Sequence, residues 1–193
     1  MKIDKNMLCL NGEEIYLRPL KAEDVNQNYI NGINDPEVNK YLVDVRLNRQ
    51  TYESIVNFVE YNWREDSCIL FGIFYENKEK KLVGTTRISG INWYHYNASV
   101  GICLFDKTIW NKGLASQAVE LVKKFLFNNL SLHYIEAGAY AINQASIKMF
   151  QRAGFREAYR VKNKYRLINT FEEVVYLAAI NNGFKESSLK DTF

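Results

Sequence analysis

The segment 110–118, WNKGLASQA, places one lysine, one glycine and a run of small residues where a strand hands over to a helix. The first N–H groups of a helix have no partner inside it, and the aligned peptide dipoles put roughly half a positive charge there. Such a start is a ready anion site. Gly113 lets the backbone come within contact of a ligand, because no Cβ stands in the way. Leu114, Ala115 and Ser116 follow as the first helical N–H groups, and Lys112 adds a mobile cation. A phosphate or diphosphate suits these parts. The chain holds no G-x-x-x-x-G-K-[ST] and no G-x-G-x-x-G, so nucleoside-triphosphate and dinucleotide loops do not fit.

A second group, Arg87, Trp93, Tyr94, His95 and Tyr96, gathers aromatic and basic side chains before the next strand. Either it is a turn packed on the sheet, or it is one wall of a site for a sugar or peptide. Cys9, Cys68 and Cys103 are odd in number, far apart and without metal-ligand spacing, so no metal is expected. Unpaired cysteines of this kind fit a reduced, cytoplasmic compartment. A formal net charge of +3 gives no case for nucleic acid, and no apolar run approaches the ~20 residues that cross a bilayer. The start, MKIDKNMLCLNGEE, lacks the apolar stretch of a secretory leader.

These residues need a frame. Residues 13–20 alternate as a first strand closed by Pro19, and 21–35 carry helical spacing at Val25, Tyr29 and Ile33 until Asn34-Asp35-Pro36 breaks it. A second amphipathic helix is expected within 48–66. Residues 68–93 read as two strands around a solvated tip at 76–81. The apolar run 98–105 reads as a fourth strand covered on both faces. A strong helix follows over 114–129. Then come a fifth strand (133–141), a short helix capped by Gly154, and a closing hairpin. The expectation is one α/β (α+β) domain over 1–193. Its core spans about 13–181, its tail is 182–193, and its mixed sheet has about seven strands and four flanking helices.

Four segments together resemble the GNAT superfamily of N-acetyltransferases, near its ribosomal-protein N-terminal acetyltransferase branch. They are YLRPLKAED, NDPEVNKYL, WNKGLASQAVELV and NQASIKMFQRAGF. The third fits that branch's W-x-K-G-x-A-x-x-A form. The last fits N-x-x-S-x-x-x-[FY]-x-x-x-G-F. The resemblance implies a single-domain fold with strands 4 and 5 splayed, acetyl-CoA as co-substrate and no metal. It also implies direct attack of a primary amine on the thioester, and monomers or homodimers as the state in solution. It places the diphosphate on Lys112 to Ser116. The pantetheine arm would run along Ile102, Cys103 and Leu104 and beside Asn143, Ser146 and Phe150.

Two positions depart from the family pattern. Ser99 stands where many relatives have a base glutamate. Phe150 stands where many have a tyrosine that reprotonates the leaving sulfur, which leaves Ser146 as the donor. Glu136, His95 and His133 are the other bases on offer. An α-amine with pKa ~7.7–8.0 is about 3.4 kcal/mol easier to deprotonate than a lysine at ~10.4. The expected acceptor is therefore a protein N-terminal amine or an amino sugar, met by Arg87, Trp93 and His95. The competing reading is a coenzyme A sensor that keeps the fold without turnover.

Overall fold

The computed structural model describes residues 3–76 and 80–185. Of the solvated tip expected at 76–81, residues 77–79 lie outside that range, as do 186–193 of the tail.

The chain runs β1 (Leu10–Asn11), β2 (Ile15–Pro19), α1 (Gln27–Ile33), α2 (Val43–Leu47), α3 (Tyr52–Arg64), β3 (Ile69–Tyr75), β4 (Lys81–Asn92), β5 (Asn97–Leu104), α4 (Leu114–Asn128), β6 (Tyr134–Tyr140), α5 (Gln144–Arg152), β7 (Arg156–Leu167) and β8 (Thr170–Ile180). A single eight-stranded sheet has the order β1-β2-β3-β4-β5-β6-β8-β7. Neighbours are antiparallel except β5 and β6, which run parallel. A parallel pair needs a crossover, and α4 supplies it. The mixed sheet with flanking helices matches the expectation, with one short strand and one short helix more: β1 and α2 have too few periodic residues to stand out in a sequence.

Strand alternation sends side chains to two cores. On one face, Ile15, Leu17, Phe71, Ile88, Val100 and Val175 meet α4 and α5 through Leu114, Ala118, Val122, Leu126 and Ile147. On the other, Leu20, Leu70, Phe74 and Leu82 meet α1 and α3 through Tyr29, Ile33, Ile55 and Val59. The apolar spacing of each helix explains which side it covers.

Helix α3 is held at both ends. Thr51 and Ser54 form a reciprocal cap, with Oγ–N distances of 3.1 and 2.9 Å. At its C-terminus the buried Lys5 ammonium donates to the carbonyls of Asn62, Trp63 and Glu65 at 2.8, 3.0 and 2.6 Å. Burial pulls the Lys5 pKa below the ordinary lysine range. Those three oxygens would otherwise lack partners at the helix end, so the cation is structural.

Strand β5 departs from the reading of a run covered on both faces. Ala98 and Val100 are buried, but Ser99 and Gly101 are exposed. The apolar composition is misleading because Gly101 contributes no side chain, and the face it shares with Ser99 is open: a Cβ on Gly101 would meet nothing within 4 Å.

Candidate acetyl-transfer site

A gap opens in the sheet where β5 and β6 stop pairing. Their ladder contains Asn97 with Tyr134, Ala98 with Ile135 and Ser99 with Glu136, and it ends there. From Val100 onward β5 stays bonded to β4, while from Ala137 onward β6 stays bonded to β8. The two strands therefore diverge, as expected for strands 4 and 5 of the sequence reading. An edge of β5 faces the gap, a surface on which an extended ligand can pair as an added strand does. Ile102, Cys103 and Leu104 lie along this edge. Burial pushes the Cys103 thiol up to about 12, which leaves it a neutral packing group at neutral pH.

At the end of that edge stands the glycine turn. Gly113 is the N-cap of α4 with φ 82° and ψ −5°, the left-handed region that glycine tolerates. No side chain caps this helix start. A Cβ built on Gly113 would meet nothing within 4 Å, so the ground before the first N–H groups of Leu114, Ala115 and Ser116 is open. Trp110 explains its own place in the motif: its Nε1 donates to the Leu104 carbonyl at 3.0 Å, pinning the turn to the end of β5. That contact also takes one of the carbonyls expected to serve the pantetheine. Lys112 leans over the Tyr75 ring, with Nζ 5.7 Å from its centroid.

Helix α5 lies alongside. Asn143 is its N-cap and accepts from the Ser146 N–H at 3.2 Å. Its carboxamide oxygen thus has a structural task, and its amide hydrogens are what it can offer a ligand. Ser116 Oγ donates to the Met149 carbonyl at 3.2 Å, tying the first turn of α4 to α5. Ser146 is half-buried. Phe150 is 2% exposed and packs edge-on against Phe155 at 5.3 Å, so its ring is part of the core beneath the site. Gly154, φ 86°, ends the helix as expected.

At the last rung Ser99 and Glu136 share the face opposite α4, because ladder partners point the same way. Glu136 Oε2 accepts from the Tyr159 hydroxyl at 3.0 Å and from the Tyr134 hydroxyl at 3.4 Å. A carboxylate therefore stands beside the position where β5 itself carries only a serine. The sequence offered Glu136 as one base among three, and the fold brings it to the mouth of the gap. His133 instead lies tilted against Phe184, ring centres 5.0 Å apart, beyond the closed end of the ladder.

The expected acceptor wall does not form as one surface. Arg87 lies on the Ser99 side, where Nε donates to Asn62 Oδ1 at 2.7 Å and the guanidinium sits over Phe58. Trp93 packs on the other core, the one under α4. The reason is a bulge in β4 at Gly90, φ 62°, which shifts register between Ser89 and Asn92. An extra residue reverses the alternation, so Arg87 and Trp93 face opposite sides. His95 is exposed in the β4–β5 turn, held through its N–H by Asn92. What sequence reasoning missed on the Glu136 face is a set of tyrosines from β6, β7 and β8, scattered over some 40 residues with no local spacing to mark them.

A model of the acetyltransferase (GNAT) domain matches residues 14–156. The chain belongs to the GNAT family of N-acetyltransferases. A probable N-acetyltransferase of Bacillus subtilis, YjcK, is 28% identical over 89% of this chain and 97% of its own. Two solved structures share the fold. A spermidine N-acetyltransferase from Vibrio cholerae, in complex with CoA and spermine, has TM-score 0.78 at 17% identity. It covers 90% of this chain and 99% of its own. A ribosomal-protein-S5-alanine acetyltransferase from Vibrio fischeri has TM-score 0.74 at 20% identity over 92% and 99%. The family assignment makes the chain an acyltransferase that acts on amines. Among the described residues no group of three or more His, Cys, Asp or Glu side chains is placed to hold a metal.

Proposed function

We propose that the protein moves the acetyl group of acetyl-CoA to a primary amine by direct attack within the gap between β5 and β6. The observation that carries this reading is the ladder that stops at Ser99 and Glu136, with an uncapped, glycine-started helix at the far end of the β5 edge it leaves free. The Gly113 turn holds the diphosphate, the β5 edge guides the pantetheine arm, and the thioester carbonyl comes to rest near the last rung. A β5 backbone N–H polarises that carbonyl as charge develops on its oxygen. Glu136 takes the amine proton directly or through one water. Ser146, the serine of the N-x-x-S motif, is the hydroxyl that returns a proton to the sulfur. A thiol with a pKa of ~8.5 leaves well as thiolate near neutral pH even without it.

The two structural neighbours carry different acceptors in their names, and at 17% and 20% identity they share the fold with this chain without choosing between those acceptors. The acceptor reading rests on this chain's own residues. Deprotonating an α-amine still costs about 3.4 kcal/mol less than deprotonating a lysine, whichever base does it. A protein N-terminal amine or an amino sugar is thus favoured over a lysine side chain.

Calorimetric titration of the folded protein with coenzyme A tests the site. Thiol release from acetyl-CoA with an α-amine peptide, an amino-sugar nucleotide and a lysine peptide then tests the reaction. Binding followed by release, fastest with an α-amine or amino sugar, is expected. Release fastest with the lysine peptide would overturn the acceptor preference, and coenzyme A binding without release from any amine would leave a sensor. No binding would remove the proposal.

A further inference from the structure

The face of the sheet that carries Glu136 continues away from the last rung as a floor of tyrosine rings. Tyr176 on β8 lies over Gly138, so close that a Cβ there would sit 3.4 Å from its ring. Tyr159 stacks on Tyr176 at 4.5 Å, nearly parallel, and reaches on to Glu136. Tyr140 meets Tyr165 at 6.4 Å and Tyr41 at 6.0 Å. Glu172 is the ladder partner of Tyr165 and so shares this face; burial raises the Tyr140 pKa first, and Tyr165, Asp44 and Glu172 add to the rise.

An ammonium already occupies part of it. Lys164 Nζ stands 4.5 Å from the centre of the Tyr176 ring and 5.1 Å from that of Tyr165, and it donates to the Tyr176 hydroxyl. Both distances lie within the ~6 Å over which an aromatic face attracts a cation. Lys40 sits in the same way over Tyr41, at 5.2 Å. The floor thus shows its preference through the chain's own side chains: cations rest on these rings, with carboxylates nearby.

We infer that the rings of Tyr140, Tyr165 and Tyr176 form a second subsite of the acceptor, taking a cationic group carried some distance from the reacting amine, with Lys164 as its resident occupant. Gly138 and Tyr140 are two and four residues beyond Glu136, so the second charge would lie about 7–13 Å from the first at ~3.3 Å per residue. The substrate class is a peptide whose α-amine is followed by a basic second residue; an alkyl diamine carries the same pair of charges on an amine as costly to deprotonate as lysine's, so it serves as a probe of the floor. An amino-sugar nucleotide, with its anionic phosphates, fits this floor poorly. The inference rests on the acetyl-transfer reading for its kinetic arm and on binding alone for its second arm.

The test compares cadaverine with pentylamine, and an Ala-Lys peptide with an Ala-Gln peptide. Thiol release is measured in the natural protein, in Lys164→Gln and in Tyr176→Leu. The natural protein is expected to use the doubly charged member of each pair at least about threefold better in kcat/KM, through KM. Lys164→Gln should widen that ratio severalfold by vacating the floor, and Tyr176→Leu should bring it towards one. Cadaverine against peptide separates the two sources of the charge. Equal KM values for charged and uncharged partners, or a ratio that shrinks in Lys164→Gln, would overturn the subsite while leaving acetyl transfer intact. Calorimetric binding of cadaverine, tighter in Lys164→Gln and weaker in Tyr176→Leu, decides the matter even if no amine supports turnover. Undetectable or unchanged binding there counts against it.

Discussion

Ser99 on β5 and Glu136 on β6 are partners in the last rung of the parallel ladder, and beyond them the two strands share no further pair. That rung brings a carboxylate from the second strand to the place where the first offers only a hydroxyl. Two tyrosine hydroxyls, at 3.0 and 3.4 Å, fix the carboxylate in position. Replacing Glu136 by Gln keeps the shape and one acceptor oxygen but removes the proposed base. A positioned general base typically supplies 10²–10⁴-fold. We expect Glu136→Gln to lower kcat about a hundredfold, with coenzyme A affinity within about twofold of the natural protein, measured by thiol release and calorimetry. A loss in affinity equal to the loss in rate would instead mark Glu136 as structural.

Gly113 makes a separate test possible, because its two contributions come apart. Its φ of 82° penalises any Cβ, yet the space such a Cβ would enter is empty. Gly113→Ala should therefore cost only the left-handed conformation, about 1–2 kcal/mol of stability by urea unfolding. Coenzyme A binding should fall by at least tenfold, since the methyl would stand where the proposed diphosphate approach to the helix N–H groups lies. A stability loss with coenzyme A affinity preserved would move the anion away from this turn.

The glycine turn, the α4 and α5 helices and the order of the main strands were legible because each has a local signature: a 3.6-residue period, a cap, a turn residue. Glu136 was legible only as a name among three, since nothing local distinguishes a strand carboxylate at a gap from one on a surface. The tyrosine floor could not be read at all. Tyr140, Tyr159, Tyr165 and Tyr176 meet only after β7 and β8 pair, in a hairpin with register shifts between Glu157 and Tyr159 and between Val161 and Tyr165. Side-chain direction follows alternation, and a single bulge reverses it. The same effect separated Arg87 from Trp93.

Trp93 accordingly has a different expected phenotype from an acceptor contact. It packs against the core beneath α4, so Trp93→Ala removes apolar burial there. A loss of about 2–3 kcal/mol is expected, below the range for a fully buried tryptophan because Trp93 is only partly covered. At a temperature where the variant stays folded, the KM values for amine and acetyl-CoA should move together. A selective rise in the amine KM would return Trp93 to the acceptor wall.

The turn that leads into the glycine motif also carries a pH dependence. Asp106 caps the short helical turn Lys107–Ile109, accepting from the Thr108 N–H at 3.0 Å, and it pairs with the Lys81 ammonium at 2.8 Å. Burial alone would raise its pKa, but the hydrogen bonds from Lys81 and Thr108 outweigh it and hold the carboxyl below the ordinary carboxylate range. A folded-state pKa depressed in this way contributes stability that is full above the unfolded value of ~3.9 and is lost as the pH falls through the folded value. Lys81→Met removes one of the partners that lower it. Because Lys81 is more than a third exposed, the effect at pH 7 should stay below about 1 kcal/mol. The difference between variant and natural protein in urea midpoint is expected to shrink as the pH falls from 5 through the depressed folded value, Asp106 protonating first in the variant and then in the natural protein. A difference that stays constant across that range would show that Lys81 acts through packing of its stem rather than through its charge.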